Sequence, residues 1–496
     1  MSATRRLYLI GIDAAPLWLM KRLSLGKGIE NIRSLVSNHQ IVEMKSTMPP
    51  MTGAAWPTIY TGLKPSEHGV PDFFELKRDY TPELVYYDSE KHPPFWKALA
   101  QSGIKCLVIT PATDIKLPGY GGVDMITGFP LKARTNSAYL KSLMLKYGFT
   151  GEPEIEKDMK AGRLPIRDAV KTFAESIRKR AEIAKRAIGH SRYGFVYVCF
   201  TETDRLQHFV LNKKDMEGYM LPVYSAIDSF VGYLLKRSAK EGSAIMMVSD
   251  HGAQPIRKKF LINTWLARNG YLSVKESVLR QNSEARSNLG YAFRERLMKT
   301  GMRHVYDKLP HATKRAISKS LGAVSAGSGG VYTRIHLFDM DMNKTKAFAA
   351  VSNLNVATLW INDARFENGF VSSAEGKRVI IRLSAQLKGV MNGREAVIKR
   401  VESAKKYYGN KCPFLAPDLF VEAKKGYSID IFNYSNGAIF MDPEPPKSGD
   451  HTRMGIFGFH PKDLFGPIKS YSIYNVSKSI MEYYGIGAKD AASQNP

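Results

Sequence analysis

Carboxylates and histidines follow three apolar runs of the sequence, at the positions where each run stops. Asp13 ends RLYLIGIDA, Asp204 ends YGFVYVCFTETD, and Asp250 with His251 ends SAIMMVSDHG. His208 lies four residues after Asp204, and on a helix this spacing puts both side chains on one face. Mixed carboxylate and imidazole groups suit zinc first, and manganese or iron second. An acidic residue after a strand is also a common helix N-cap, so each of them alone is ambiguous.

A further histidine, His451, stands in GDHTRMGIFGF just before another apolar run. Together the candidate ligands are enough for two divalent ions, which at about 3.5–4 Å apart would clamp the attacking and leaving oxygens of a phosphoryl displacement. These ligands are Asp13, Asp204, His208, Asp250, His251 and His451. Three other histidines have no carboxylate partner nearby in the sequence and are interpreted as structural: His68, His311 and His460.

The stretch PPMTGAAWPTIYTGLKPSEHGV places one threonine, Thr52, at the predicted start of a helix. A hydroxyl is a poor nucleophile at neutral pH, but coordination to a dication lowers its pKa enough for attack. The first N–H groups of the helix could hold a phosphoryl oxygen, and Gly53 would let a substrate approach the backbone. We also predict that Trp56 forms an apolar wall for a second ester group. Alone, Thr52 and Gly53 would be interpreted as an N-cap and a turn.

Short apolar runs without polar alternation are separated by amphipathic helical stretches. IKCLVIT at 104–110 is predicted to be another strand. Residues 166–188 have helical periodicity, and a second helix is predicted from near Pro222. This pattern predicts an α/β doubly wound, mainly parallel sheet covered on both faces. Ligands bind beyond the carboxyl ends of such strands, where the acidic residues above are expected to meet.

The segment TGLKPSEHGV, with Thr52 nine residues before it, resembles a signature of the alkaline phosphatase superfamily, within its type I phosphodiesterase/nucleotide pyrophosphatase branch. GIDAA, TETDRLQH, VSDHGAQPIRKKFLINTWLARNGYL, KTKAFA, APDLFVE and DHTRMGIFGF are similar to further segments of that family, in the same order. The resemblance implies that Asp13, Thr52, Asp250 and His251 bind one ion. It implies that Asp204, His208 and His451 bind the other.

The sequence also departs from this family. An asparagine usually follows the nucleophile closely in nucleotide pyrophosphatases, whereas Ala54 and Ala55 stand here, so nucleotide specificity is not implied. No C-x-P-x-R segment follows Pro50, which argues against the sulfatase branch, and Thr52 replaces the serine of the mutase branch.

We therefore expect a metal-dependent hydrolase of phosphate esters, most simply a phosphodiesterase or pyrophosphatase, that uses Thr52 through a phosphothreonine. Three alternatives stay open at this point. They are a phosphomonoesterase, a transferase that passes the phosphoryl-linked head group to an alcohol, and a protein that binds anionic surfaces with a vestigial site.

At 496 residues the chain is long enough for a large α/β core carrying an insertion. We predict a core of residues 1–271 and 431–496, with residues 272–430 inserted as a cap over the active-site edge. VATLWIN and DLFVE are expected to be strands of this cap or of the sheet edge. Residues 280–319 hold ten Lys or Arg against three acids, and 322–330 has the composition of a flexible connector.

The net charge of +26, from 72 Lys and Arg against 46 Asp and Glu, favours anionic partners. We predict that segment 280–319 contacts an anionic surface, either membrane head groups or a polyanionic substrate; a solvated helical face is the alternative. No nucleic-acid-binding motif is present in the sequence, and the oligomeric state is left open.

Three cysteines without metal-ligand spacing indicate a reducing compartment: Cys106, Cys199 and Cys412. The apolar run that begins at Leu7 stops at Asp13, which is too short for a signal peptide or a membrane span. We expect a cytoplasmic protein.

Overall fold

A computed structural model of the chain describes residues 5–130, 132–277, 333–334, 336–351, 354–434, 438–444, 447–464 and 471–487. The predicted basic segment 280–319, the connector 322–330 and His311 lie outside the described residues.

The described helices and strands are as follows in chain order. Up to residue 268 they are β1 (Leu7–Ile12), α1 (Leu17–Leu23), α2 (Glu30–Ser37), β2 (Ile41–Lys45), α3 (Thr52–Thr61), α4 (Pro65–His68), β3 (Phe74–Leu76), β4 (Pro82–Leu84), α5 (Phe95–Gln101), β5 (Cys106–Ile109), β6 (Val123–Thr127), β7 (Arg134–Thr135), α6 (Ala138–Tyr147), α7 (Glu156–Lys160), α8 (Ile166–His190), β8 (Phe195–Phe200), α9 (Glu202–Val210), α10 (Met216–Glu241), β9 (Ala244–Val248), β10 (Gly252–Pro255), β11 (Lys258–Leu261) and α11 (Ile262–Arg268). Beyond residue 332 they are β12 (Thr333–Arg334), β13 (Ala347–Ala350), β14 (Val356–Ile361), α12 (Ser373–Lys388), β15 (Met391–Asn392), β16 (Glu395–Ala396), β17 (Ile398–Ser403), α13 (Lys405–Tyr408), β18 (Leu419–Ala423), β19 (Tyr427–Asp430), β20 (Asn433–Tyr434), β21 (Phe440–Met441), β22 (Gly449–Thr452), β23 (Met454–His460), β24 (Tyr471–Ser472) and α14 (Val476–Tyr483).

Nine of the described strands form a central sheet in the order β24-β2-β23-β9-β1-β8-β5-β6-β7. The strands β9, β1, β8, β5 and β6 are mutually parallel, whereas β23 and β7 run antiparallel to their neighbours. This sheet confirms the predicted α/β, mainly parallel fold. The predicted strand at 104–110 is β5, a shorter element of four residues.

Both faces of the central sheet are covered, as the continuous apolar strands require. Successive residues of β1 enter different cores: Tyr8 and Ile10 pack with helices α8 and α10, and Leu7 and Leu9 pack on the side of α3, α5 and α14. Every residue of β1 is buried, which explains why its sequence lacks polar alternation.

The helix predicted from near Pro222 begins earlier, because α10 starts at Met216 and contains Pro222. The extra residues bury Met216 and Met220 in the core, and this burial offsets the backbone hydrogen bond that a proline inside a helix removes. The predicted helix at 166–188 is present as α8 and extends to His190.

A second sheet of four described strands, in the order β13-β14-β18-β17, packs with α12 on its own hydrophobic core. The segments VATLWIN and DLFVE supply β14 and β18, which pair with each other antiparallel. This sheet contacts the segment before α3, since Met48 packs against Val356 and Phe420.

The boundary predicted between residues 271 and 272 divides elements that pair in the structure. Strand β11, before that boundary, pairs parallel with β19 after it, and Phe260 of β11 belongs to the core of the second sheet. The predicted limits of the cap, residues 272–430, thus cut across a pair of strands, and they stay a prediction. Among the described helices, none is long and apolar enough to cross a membrane.

Candidate active site

Three neighbouring parallel strands, β8, β1 and β9, end at the same edge of the central sheet. Asp13 follows β1 directly, Asp250 lies two residues after β9, and Asp204 lies in the first turn of α9, which follows β8. The sheet topology thus brings together carboxylates that are up to 237 positions apart in the sequence.

The first group of possible ligands consists of Asp13, Asp250 and His251, whose ligand atoms all lie within 4.8 Å of one another. His251 Nε2 lies 3.2 Å from Asp250 Oδ2 and 3.7 Å from Asp13 Oδ1. Thr52 joins this group, because its Oγ1 lies 3.1 Å from His251 Nε2. All four side chains are buried.

Asp204, His208 and His451 form the second group, again with ligand atoms within 4.8 Å of one another. Asp204 Oδ1 lies 3.4 Å from His208 Nε2 and 3.1 Å from His451 Nε2. The rings of His451 and His251 stack with centroids 3.8 Å apart, so the two groups adjoin. The structure therefore brings together all seven side chains that the sequence singled out as ligands.

The three imidazoles are held in the same way. Nδ1 lies 3.0 Å from the Gly252 carbonyl in His251, 3.1 Å from the Gly449 carbonyl in His208, and 3.1 Å from the Pro50 carbonyl in His451. A carbonyl only accepts, so each Nδ1 carries a proton and each ring directs its Nε2 into the site.

These groups fit cations better than they fit one another. His208 and His451 bring their Nε2 atoms to 3.1 Å, where two lone pairs repel unless a proton or a metal lies between them. One carboxylate oxygen of each acid is buried and accepts no hydrogen bond from the part of the chain that the structure describes: Asp13 Oδ1, Asp204 Oδ1 and Asp250 Oδ2. Buried carboxylates are normally paired or coordinate metals, and this donor set suits divalent ions.

The pKa values of the acids reflect this crowding in the absence of a cation. Burial raises the pKa of Asp13 well above its usual range, and the nearby Asp250 and Asp204 add to the rise. Burial also raises the pKa of Asp250, to about 8. Burial alone would raise the pKa of Asp204 too, but the imidazoles of His208 and His451 hold it well below its usual range.

Thr52 is the first residue of α3, as the sequence predicted. The N–H groups of Ala54 and Ala55 both donate to the Met51 carbonyl, at 3.0 and 2.8 Å. Within the described part of the chain the N–H groups of Thr52 and Gly53 have no acceptor. Two donors at a helix N-terminus, beside a hydroxyl, suit an anionic oxygen.

Trp56 does not form the predicted apolar wall, because its side chain is fully buried beneath the site. Its Nε1 donates to Asp13 Oδ2 at 3.1 Å. A Cβ atom at Gly11 would lie 2.8 Å from the Trp56 ring, so the strand makes room for this indole. Trp56 therefore orients a possible metal ligand and does not line a substrate pocket.

Gly53 was predicted to face a substrate, but the space beside its Cα is filled by the backbone of residues 72–73. A Cβ atom there would lie 3.1 Å from the backbone nitrogen of Phe73 and 3.2 Å from the carbonyl carbon of Asp72. Its missing side chain lets α3 pack closely on the 72–73 backbone, whereas its N–H remains available at the helix start.

Thr203 and Gln207 of α9 support the site and were not identified from the sequence. Thr203 Oγ1 donates to the Asp13 carbonyl at 2.5 Å, and Gln207 Nε2 donates to the Ala14 carbonyl at 2.7 Å. They repeat the four-residue spacing of Asp204 and His208 one position earlier. That spacing is the signal that could have revealed them.

Two of the histidines that were interpreted as structural, His68 and His460, lie in the described part of the chain, and neither belongs to the two groups of possible metal ligands. His68 Nε2 lies 3.0 Å from Thr58 Oγ1, and His460 Nδ1 lies 3.1 Å from Gln40 Nε2.

Solved structures of low sequence identity align with nearly the whole chain. Phosphonoacetate hydrolase from Sinorhizobium meliloti 1021 matches at a TM-score of 0.54 in its complex with phosphonoformate, with 10% identity over 97% of this chain and 96% of that chain. Its complex with phosphonoacetate matches at 0.53, with 11% identity and the same coverage. Murine ectonucleotide pyrophosphatase / phosphodiesterase 5 matches at 0.49, with 13% identity over 98% and 96% of the two chains.

The chain thus has the fold of phosphonoacetate hydrolase. A sequence profile of the type I phosphodiesterase / nucleotide pyrophosphatase family matches residues 7–344, whereas no curated protein matches the chain. The chain belongs to this family, and it is a phosphoric ester hydrolase. The matched range contains Thr52 and all the candidate ligands except His451.

Proposed function

We propose that the chain hydrolyses phosphodiesters by attack of Thr52 Oγ1 on phosphorus. The observation that carries this proposal is the position of Thr52: a buried hydroxyl at a helix N-terminus, 3.1 Å from His251 Nε2. A threonine that served only as an N-cap would not need a cluster of carboxylates and imidazoles around it.

Two divalent ions complete the site in this proposal, with zinc the first choice and manganese or iron the second. Asp13, Thr52, Asp250 and His251 hold one ion. Asp204, His208 and His451 hold the other. When bound, such ions lower the pKa of the threonine hydroxyl and neutralise charge on the phosphoryl and leaving oxygens.

The chain's own groups hold the reactants in place. Backbone carbonyls fix the three imidazole rings, and Trp56 fixes one oxygen of Asp13. The N–H groups of Thr52 and Gly53 have no acceptor among the described residues, and in this proposal they donate to a phosphoryl oxygen of the substrate. Thr52 Oγ1 loses its proton to solvent and bonds to phosphorus while the bond from phosphorus to the leaving oxygen breaks, and the leaving group takes up a proton from solvent to depart as an alcohol. Water then attacks phosphorus, which releases the second product and restores the hydroxyl.

The charge around the nucleophile favours a diester over a monoester. Helix α3 contains no charged residue, and a monoester dianion carries one more negative charge than a diester. The two free N–H groups suit one anionic oxygen. Trp56, being buried, contributes nothing to this preference.

A comparison of two chromogenic substrates tests the proposal. We expect kcat/KM to be at least about tenfold higher for bis(4-nitrophenyl) phosphate than for 4-nitrophenyl phosphate, a ratio equal to about 1.4 kcal/mol. The Thr52→Ala variant should lose both activities, which assigns them to one site. With an added acceptor alcohol, the phosphoryl product should still be the free acid. A faster monoester reaction would contradict the diester assignment, and an alkylated product would identify a transferase.

A further inference from the structure

A cavity of about 810 Å³ lies between the carboxyl edge of the central sheet and the second sheet. Lys45 and Arg453 line it from the central sheet, and Lys424 and Lys425 line it from the loop between β18 and β19. Arg453 lies two residues after the proposed ligand His451, so the cavity adjoins the metal groups without including them.

Arg453 is a buried cation without a carboxylate partner among the described residues. Its side chain lies over the Tyr407 ring, with the guanidinium carbon 5.2 Å from the centroid, and the residue is only 6% exposed. Nη1 donates to Tyr407 Oη at 3.3 Å and Nη2 donates to the Ser46 carbonyl at 3.5 Å, while no described residue accepts a hydrogen bond from Nε. No carboxylate of the described residues lies within 4.0 Å of it. A buried charge is costly unless an opposite charge compensates it.

Three exposed lysines add to this charge: Lys45, Lys424 and Lys425 form no ion pair with a described residue. The charge of Arg453 is the largest cause of a lowered pKa at Lys45, with burial and the nearby Arg400 and Lys406 adding to it. The positive groups therefore repel one another across the cavity.

The other cations that line the cavity each have a carboxylate partner. Lys399 and Arg400 share Glu422, at 2.7 and 2.9 Å, and Arg257 pairs with Glu395 at 3.1 Å. Arg453 and the three lysines are thus four positive charges, with Glu43 as the one lining acid outside these pairs. A solvated basic surface would not bury one of its guanidinium groups.

We propose that this cavity binds a small soluble anion that carries a phosphate or diphosphate group. Its volume is in the range of sites for small molecules, and guanidinium and ammonium donors from two sides suit phosphate oxygens. The site is separate from the proposed metal ligands and does not depend on the proposed reaction.

The test measures binding of inorganic diphosphate to the full chain by calorimetry at near-physiological salt, before and after treatment of the protein with a chelator. Chelation separates the cavity from the metal groups, which without cations offer an anion no dication to bind. We expect a binding step that persists after chelation. The variant Lys45→Gln/Lys424→Gln/Lys425→Gln should weaken that step at least tenfold, and its exposed substitutions preserve folding.

The control is Lys141→Gln/Lys236→Gln/Lys240→Gln, which removes the same charge from exposed positions on α6 and α10. This control should bind diphosphate as the parent does. A second variant, Arg453→Met, should also weaken binding if its thermal unfolding matches the parent.

Several results would overturn the proposal. They are absence of a chelator-resistant binding step, equal affinity in the parent and the triple variant, and an equal loss in the control. Binding to phosphatidylglycerol vesicles through the three lysines, without diphosphate binding, would identify a membrane contact and likewise overturn a small-ligand site.

Discussion

Each of the three site histidines has its ring fixed by a backbone carbonyl, and these carbonyls belong to Pro50, Gly252 and Gly449. Such contacts set which nitrogen carries the proton and orient the other nitrogen for a cation. The histidines themselves were recognisable from their sequence context, whereas the carbonyls were not, because any residue can supply one.

Trp56 illustrates the same limit of sequence reasoning. Its position four residues after Thr52 suggested a wall for the substrate, but neither its burial nor its partner Asp13 can be inferred from neighbouring residues. The contact forms because α3 packs on β1, where Gly11 leaves space for the indole. Long-range packing thus assigns this residue a supporting role.

We predict that Trp56→Phe weakens metal binding at Asp13. The substitution removes the N–H that holds Asp13 Oδ2, and losing such a supporting hydrogen bond typically lowers metal affinity about 10–100-fold. Elemental analysis of the parent should give about two metals per chain. A competing chelator should then remove one of the two metal ions more easily from the Trp56→Phe variant than from the parent protein.

Trp96→Phe is the matched control, because it shortens another buried tryptophan of the same core without touching the site. His251→Ala provides the comparison for a lost ligand and should lower the metal content while the fold is kept. Equal chelator resistance in Trp56→Phe and the parent would contradict a role in holding Asp13. Full metal content in His251→Ala would contradict the two-ion site.

At the scale of elements, the short helix α4 supports the helix that carries Thr52. His68, at the end of α4, is buried and accepts at Nδ1 from the Val70 N–H at 3.3 Å. Its Nε2 therefore carries the proton and donates to Thr58 Oγ1 of α3 at 3.0 Å. The sequence interpretation of His68 as structural agrees with this placement.

The stability of the protein should depend on His68 below neutral pH. Burial lowers the pKa of His68 to about 3, whereas in the unfolded chain it is near 6.5. Below pH 6.5 the unfolded state binds the proton and the folded state does not, so stability is lost as the pH falls from 6.5 toward 3. Between pH 7 and pH 5 this single group should cost about 2 kcal/mol.

Urea unfolding of chelator-treated protein at the two pH values measures this cost. His68→Gln keeps a donor for Thr58 and does not titrate, so its loss of stability from pH 7 to pH 5 should be smaller by about 2 kcal/mol. The exposed His39→Asn serves as a control and should behave like the parent. A parallel loss in His68→Gln and the parent would show that His68 is not buried as a neutral ring.

The main elements of the central sheet were predictable, and the reason is physical. Strands that are buried on both faces must be continuously apolar. The strands β1, β8 and β9 are fully buried and have such sequences. The start of α10 was missed, because a proline suggested a first turn and burial of Met216 and Met220 outweighed that signal. The pairing of β11 with β19 joins residues about 170 positions apart, and no local pattern encodes it.

At the scale of the whole molecule, positive charge is concentrated in two regions. One is the cavity around Arg453, whose lining residues come from widely separated parts of the sequence and could not be grouped without the fold. The other is segment 280–319, which is recognisable from composition alone because ten cations lie within forty residues.

We predict that segment 280–319 mediates salt-sensitive binding to anionic vesicles. Reversing Arg294, Arg296, Arg303 and Lys308 to Glu removes four positive charges and adds four negative ones, which should abolish binding to phosphatidylglycerol vesicles in a sedimentation assay. Vesicles of neutral lipid are the control. If the parent protein does not bind anionic vesicles, the predicted role of segment 280–319 is wrong.

The whole arrangement serves one hydroxyl in this account, so the most direct measurement is mass spectrometry of the Thr52 peptide after acid quenching during turnover of bis(4-nitrophenyl) phosphate. We predict an adduct on Thr52 that consists of the phosphoryl group with its remaining 4-nitrophenyl ester. In parallel, Thr52→Ala should lower kcat by at least about a thousandfold, and Thr52→Ser should keep a measurable fraction because the hydroxyl remains. No adduct on Thr52, together with near-parent turnover by Thr52→Ala, would contradict the account, because water would then attack phosphorus directly.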